Sequence, residues 1–202
     1  MRKLFDIGGI IAGVVLIVFG AAAIYMGVDG RATVRDSLEQ EQITIGSIDD
    51  PVVARFASEY AGQQVTNGDQ ARAFAQVIRG HTLKITGGLT YAQMGRFVSA
   101  DDPKSMAGTS DETAALKDDQ GNPVPNAARN TWVTATALST ALNTSYMAER
   151  LALFGIVVGI ALLLTGIGFI VLTLSLGGAL LRREATTPVT RDGLASEPVS
   201  TI

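Results

Sequence analysis

Two uninterrupted apolar runs, one near each end of the chain, constrain the fold more than any other feature. The first extends from about Ile7 to Val28 and the second from about Leu151 to Leu181. A helix needs about 20 apolar residues to cross a hydrocarbon core of about 30 Å, and both runs are long enough. Neither contains a charged residue. The pattern predicts a membrane protein with spans at 7–28 and 151–181 and one extramembrane domain at 29–150. Residues 1–6 form a short N-terminal segment, and residues 182–202, rich in Thr, Pro and Ser after Glu184, a disordered tail.

The flanks set the orientation. Arg2 and Lys3 precede the first run, and Arg182 and Arg183 follow the second. Positive charge beside a span favours the cytoplasmic side, and long loops are largely exempt from that rule. Both termini therefore read as cytoplasmic, in the plasma membrane, with 29–150 extracytoplasmic. Tyr25 and Tyr146 sit at the outer boundaries, where amphipathic aromatics favour the interface. The competing reading is a signal peptide, with Arg2-Lys3 as its basic start and Ala21-Ala22-Ala23 as a cleavage site. The apolar run continues past that point through Ile24, Tyr25, Met26 and Val28, which favours a span.

Between the runs the pattern is helical. Asp29–Gln42 can carry the first helix out of the membrane, with Val34 and Leu38 on one face. Asp50-Pro51 reads as an N-cap acid followed by proline at the first helical position. Asn67 or Asp69 starts a further helix, with Phe74, Val77, Ile78 and Ile85 at helical spacing and Gly87-Gly88 as its end. Thr90–Val98 is expected to form another short helix. Residues 99–126, rich in Asp, Gly and Pro, are expected to be an acidic surface loop with a hairpin near Asp119–Asn122. From Asn126 one long helix should run into the second span. The fold class is thus an all-α membrane protein: two antiparallel spans extended into a small extracytoplasmic helical domain with an acidic loop.

Glycines mark the packing face of each span. At about 100° per residue, Gly9, Gly13, Gly20 and Gly27 fall within about 40° of one another, and so do Gly155, Gly159, Gly166 and Gly177. Small residues on one stripe let helix backbones approach closely. In an antiparallel pair matched by depth, Gly9 faces Gly177, Gly20 faces Gly166, Gly27 faces Gly159 and Thr173 faces Gly13. The same stripe could instead meet another subunit.

Chemistry is sparse. The chain has no cysteine, which excludes disulfides, thiolate metal sites and a cysteine nucleophile. Its one histidine, His81, needs convergent carboxylates to hold a metal, and Glu59 and Asp69 are its nearest candidates in sequence. Asp118–Asn122 lacks the spaced acids and closing glutamate of a calcium loop, so the pairs Asp49-Asp50, Asp101-Asp102 and Asp118-Asp119 read as solvated turns. A net charge of −3 without clustered Lys and Arg argues against nucleic acid. Spans free of charge argue against an ion or proton path.

Three blocks carry a family resemblance: MRKLFDIGGIIAGVVLIVFG at the start, HTLKITGGLTYAQMGRF in the middle, and WVTATALSTALNTSYMAERLALFGIVVGIALLLTGIGF towards the end. Over roughly residues 1–181 they resemble a family of two-span actinobacterial membrane proteins, often labelled aromatic ring-opening dioxygenases. The resemblance implies topology and lineage. Extradiol chemistry requires iron held by histidines and a carboxylate, and a single histidine does not supply that set. The expectation is a cell-envelope protein that is not an enzyme and needs no cofactor: a structural or accessory subunit that meets the bilayer and assembles with itself or with a larger membrane complex. The alternative is an outer binding or sensing domain coupled through the two spans. The exit helix contributes a stripe of small residues, Ala128, Thr131, Ala135 and Ser139, with Trp132 and Leu142 nearby, which can pack on the chain's own helices or on a partner.

Overall fold

Two long helices dominate the chain, α1 (Arg2–Gln40) and α4 (Ala127–Glu184), and both are long and apolar enough to cross a membrane. The computed structural model describes the backbone of residues 2–184 and the side chains of residues 7–175. The tail from 185 and the surroundings of Gly177 lie outside the described residues. No proline interrupts α1 or α4. Both threonine hydroxyls in the apolar stretch of α4 bond within the helix: Thr165 donates to the Ala161 carbonyl at 2.7 Å and Thr173 to that of Phe169 at 2.8 Å. That satisfies them without water.

The chain divides into two compact units, residues 1–22 with 158–202, and residues 23–157. In the first, the large side chains of Val18, Phe19, Leu164 and Leu172 point outwards while Gly13, Gly20, Gly159 and Gly166 are buried. A surface that is apolar outside and small inside suits a lipid environment.

The second unit has a core of its own. α1 continues to Gln40 and ends as Gln42 takes up a left-handed φ of 52°. The chain then pairs briefly with a later segment: the Ile45 N–H donates to Gln63 O at 2.9 Å and the Val65 N–H to Ile43 O at 2.8 Å. These bonds let Ile45 and Val65 enter the core fully, beside Leu38, Val53, Val77 and Leu142. Helix α2 (Pro51–Phe56) starts where the Asp50 carboxylate accepts the Val52 N–H at 2.8 Å, with Pro51 in the first turn. Helix α3 (Gly68–Ile85) is capped by Asn67, which accepts the Gln70 N–H at 3.0 Å. Buried Gln70 reaches back to the Thr66 N–H at 2.8 Å and donates to Gln63 at 3.0 Å, so no polar atom of its amide is stranded. At the other end the Gly88 N–H bonds Leu83 O at 2.7 Å and the Gly87 N–H bonds Lys84 O, with both glycines at positive φ, which is a Schellman stop.

The expected helix over Thr90–Val98 does not form. A single 3-10 turn, Tyr91–Gln93, is closed by a capping box between Thr90 and Gln93, and the backbone then extends. Gly95 lies so close to the Thr109 backbone that no Cβ would fit. Phe97 and Thr109 exchange backbone bonds at 2.9 and 2.8 Å, and Val98 bonds Val124 and Leu116. Residues 99–126 form the expected, mostly exposed loop, and isolated bridges tie 95–125 together with Ala115 buried among them. Local helical spacing lost to these long-range backbone bonds. The hairpin near Asp119–Asn122 is present: Lys117 bridges Pro123, and Gly121 turns at φ 80°. Among the described residues there is no regular strand.

Candidate functional site

The glycine stripe of α1 packs closely on backbone and side-chain atoms of α4. In the first unit, a methyl group added at Gly13 would lie 2.7 Å from the Gly166 carbonyl oxygen and 2.6 Å from Ile170. One added at Gly20 would lie 2.7 Å from the Gly159 oxygen and 2.8 Å from the Leu163 nitrogen. Gly166 in turn sits 2.6 Å, by the same measure, from the Gly13 oxygen, and Gly9 abuts the Thr173 hydroxyl. In the second unit, Gly27 meets Ala152 O and Ile156 at 2.6 Å, whereas Gly155 has only an ordinary contact, 3.7 Å from Ala23 O. Gly8 and Gly168, off the stripe, have nothing within 4 Å.

The register differs from the depth-matched expectation by seven residues on α4 at Gly13, Gly20 and Gly27, about two helical turns. Gly20 lies against Gly159 rather than Gly166, Gly27 against Ala152 rather than Gly159, and Gly13 against Gly166 and Ile170 rather than Thr173; Gly9 lies against Thr173, and the pairing expected for Gly177 falls outside the described residues. The physical reason is interdigitation. Gly27, Gly20 and Gly13 each receive a small residue and, four positions on, a branched one: Ala152 with Ile156, Gly159 with Leu163, Gly166 with Ile170. Glycine meets glycine at Gly13–Gly166 and Gly20–Gly159, and the branched side chain one turn on fills the space beside each contact. Gly13, Gly20 and Gly27 recur every seven residues, as do Ala152, Gly159, Gly166 and Thr173. A seven-residue repeat of this kind is the pattern of shallow, left-handed helix crossing.

In the second unit, His81 meets Asp50 and neither of the two carboxylates named for it from the sequence, Glu59 and Asp69. Its Nε2 lies 2.7 Å from Asp50 Oδ2, so the histidine of α3 meets the N-cap of α2. The Val52 N–H and then the His81 ring hold the Asp50 carboxyl below the usual carboxylate range. Asp69, one of the two acids nearest in sequence, instead pairs with Arg150. The acidic doublets work in turns: Asp49 accepts from Ser47 at 2.8 Å, Asp102 from the Lys104 N–H at 3.2 Å, and Asp118 from the Asn122 N–H at 2.7 Å. Among the described residues, no three His, Asp or Glu side chains converge as a metal site would need.

The small-residue stripe of α4 packs on α3. Ala128, Trp132 and Leu142 are buried, and the Ser139 hydroxyl donates to Ala75 O at 3.3 Å. Beside this contact a cleft of about 230 Å³ opens between Gln76, Arg79, Trp132, Thr136 and Asn143, with the Arg79 guanidinium 5.2 Å from the Trp132 ring centre.

Two residues that sequence reasoning passed over tie the unit together. Asn126, buried, caps α4 by accepting the Ala128 N–H at 3.1 Å and donates to Gly95 O and Met106 O at 3.1 and 3.0 Å. A polar residue just before a long helix is the only signal for it, and its two long-range bonds have none. Glu149 accepts from the Gly68 N–H and from Arg31 at 3.1 Å, joining α1, α3 and α4 at one carboxylate. Gly68 is required there, since a Cβ would lie 2.9 Å from Tyr146 Cα. No protein-family model, no curated protein and no solved structure matches this chain.

Proposed function

We propose that this chain is a non-catalytic membrane protein of the cell envelope, a structural or accessory subunit that acts by association. In this reading the two long helices run antiparallel through the plasma membrane. Both termini are cytoplasmic, and residues 29–150 stand outside as a display platform. The observation that carries it is the glycine seam. Backbone carbonyls of α4 occupy the space where side chains on α1 would lie, so the inner faces serve the helix pair itself. Partner numbers on α4 fall as glycine numbers rise on α1, which supports the antiparallel arrangement. The outer faces, with Val18, Phe19 and Leu164 exposed, are left for lipid or a neighbouring span. The polar groups of the second unit support the same reading, because His81, Asp50, Glu149 and Asn126 are engaged in caps and inter-element bonds.

The test is affinity purification of the full chain in mild detergent, followed by mass spectrometry and crosslinking of the native membrane. The expected result is reproducible recovery of a membrane protein or of a second copy, preserved in His81→Ala. A variant at His81 that inserts and folds normally yet loses the biological role would overturn the non-catalytic reading.

A further inference from the structure

We propose that the α2–α3 face of the second unit is a docking surface for an acidic segment of a partner protein that carries an apolar anchor residue. This deepens the association reading and rests on it. The chain as a whole is acidic, at a net charge of −3. Yet α2 carries Arg55 and no acid, and α3 carries Arg72, Arg79 and Lys84 against the single acid Asp69. Arg55, Arg79 and Lys84 line one cleft together with Val52, Phe56 and Leu83. The three cations are exposed, and the three apolar residues are half-buried.

Among the described residues, no carboxylate lies within ion-pair distance of these cations. Arg55 stacks 5.0 Å from the Phe56 ring centre, and Arg79 stacks on Trp132. The nearest acid is Asp50, whose carboxylate Lys84 influences at a distance but which is already bonded to the Val52 N–H and to His81. Glu59, in the turn after α2, does not line the cleft. Guanidinium groups stacked on aromatic rings keep their in-plane N–H donors directed outwards, ready for a carboxylate. Cations around a half-buried apolar floor are thus complementary to Asp or Glu flanking a Leu- or Phe-like side chain.

A lipid surface is disfavoured by position. Asp69 pairs with Arg150, which immediately precedes the apolar run from Leu151. Arg79 and Lys84 stand ten and fifteen residues further along α3, about 15–22 Å at the rise of an α-helix. The α3–α4 contacts confirm the direction, since Ala75 meets Ser139 and Arg79 meets Trp132, both farther from Leu151 along α4.

The full chain in zwitterionic lipid nanodiscs is screened against a display library of random peptides. Enriched peptides are then titrated against wild type, R55E/R79E/K84E, and K104E/K117E as a control for net charge. Expected are peptides rich in Asp and Glu around an apolar residue, bound with an affinity that falls about tenfold or more in the triple variant and changes little in the control. Should the triple variant unfold on heating earlier than wild type, R55Q/R79Q replaces it, with loss of binding again expected. Neutral or basic consensus peptides, no enrichment, equal binding by the variants, or stronger binding of dodecanoate than of any peptide each overturns the proposal. Pull-downs separate the two readings. If wild type and the triple variant recover the same membrane proteins, this surface is wrong and association stands. If wild type recovers nothing from its own membrane, the association reading itself fails.

Discussion

Asn126 serves the start of α4 and the preceding segment at once. Its carbonyl oxygen caps a 58-residue helix, and its amide nitrogen holds two carbonyls of the 95–108 segment. Asn126→Ala removes the cap and takes the donor from the Gly95 and Met106 carbonyls, so a loss of about 2 kcal/mol is expected in chemical denaturation, with Asn126→Asp restoring only the cap. Asp50 gives a different signature. Its carboxyl sits below its ordinary 3.8 because the Val52 N–H, then His81, favour the charged form. The unfolded chain therefore binds the proton more readily. The stabilisation is present above pH 3.8 and is lost as pH falls through the lower folded value. Unfolding midpoints measured from pH 6 down to pH 2 should fall more steeply for wild type than for Asp50→Asn. Parallel curves would show that this carboxylate has no such role.

At the level of elements, the helix pair rests on closeness at a few backbone positions. Gly20→Leu or Gly13→Leu drives a side chain into the Gly159 or Gly166 carbonyl and should destabilise the pair by about 1–3 kcal/mol, read as loss of thermal stability in detergent. Gly168→Leu, which meets nothing within 4 Å, should leave stability unchanged. Equal effects at Gly20 and Gly168 would show that the seam is not what holds these helices. Much of this was legible in the sequence. Charge-free runs gave the long helices, Asp50-Pro51 and Asn67 gave two starts, and Gly87-Gly88 gave a stop, because caps and apolar length are local properties. The register was not, since a stripe at 100° per residue records which face packs but not which hole each residue enters. The helix expected over Thr90–Val98 failed for a related reason: Gly95 and Phe97 answer to Thr109, and nothing local announces a backbone bond from that distance. The pairing of His81 with Asp50 was hidden in the same way.

At the scale of the whole molecule, the charges near the ends decide which compartment each part of the chain is expected to face. Arg2 and Lys3 adjoin one apolar run, and Arg182 and Arg183 adjoin the other. Moving either pair outwards works against the cytoplasmic preference for positive flanks, while the 29–150 segment is long enough to be translocated whatever its charge. The natural absence of cysteine makes labelling clean, because every signal comes from the residue introduced. Ser37 and Ser110 are exposed, so cysteines there should react with a membrane-impermeant maleimide in intact cells. A cysteine at Ser196 should react only after the membrane is opened. The proposed docking cleft shares the fate of Ser110, since both belong to the 23–157 unit. Labelling of Ser196Cys with protection of Ser110Cys would invert the topology, place that cleft inside the cell, and restrict its acidic partner to cytoplasmic proteins.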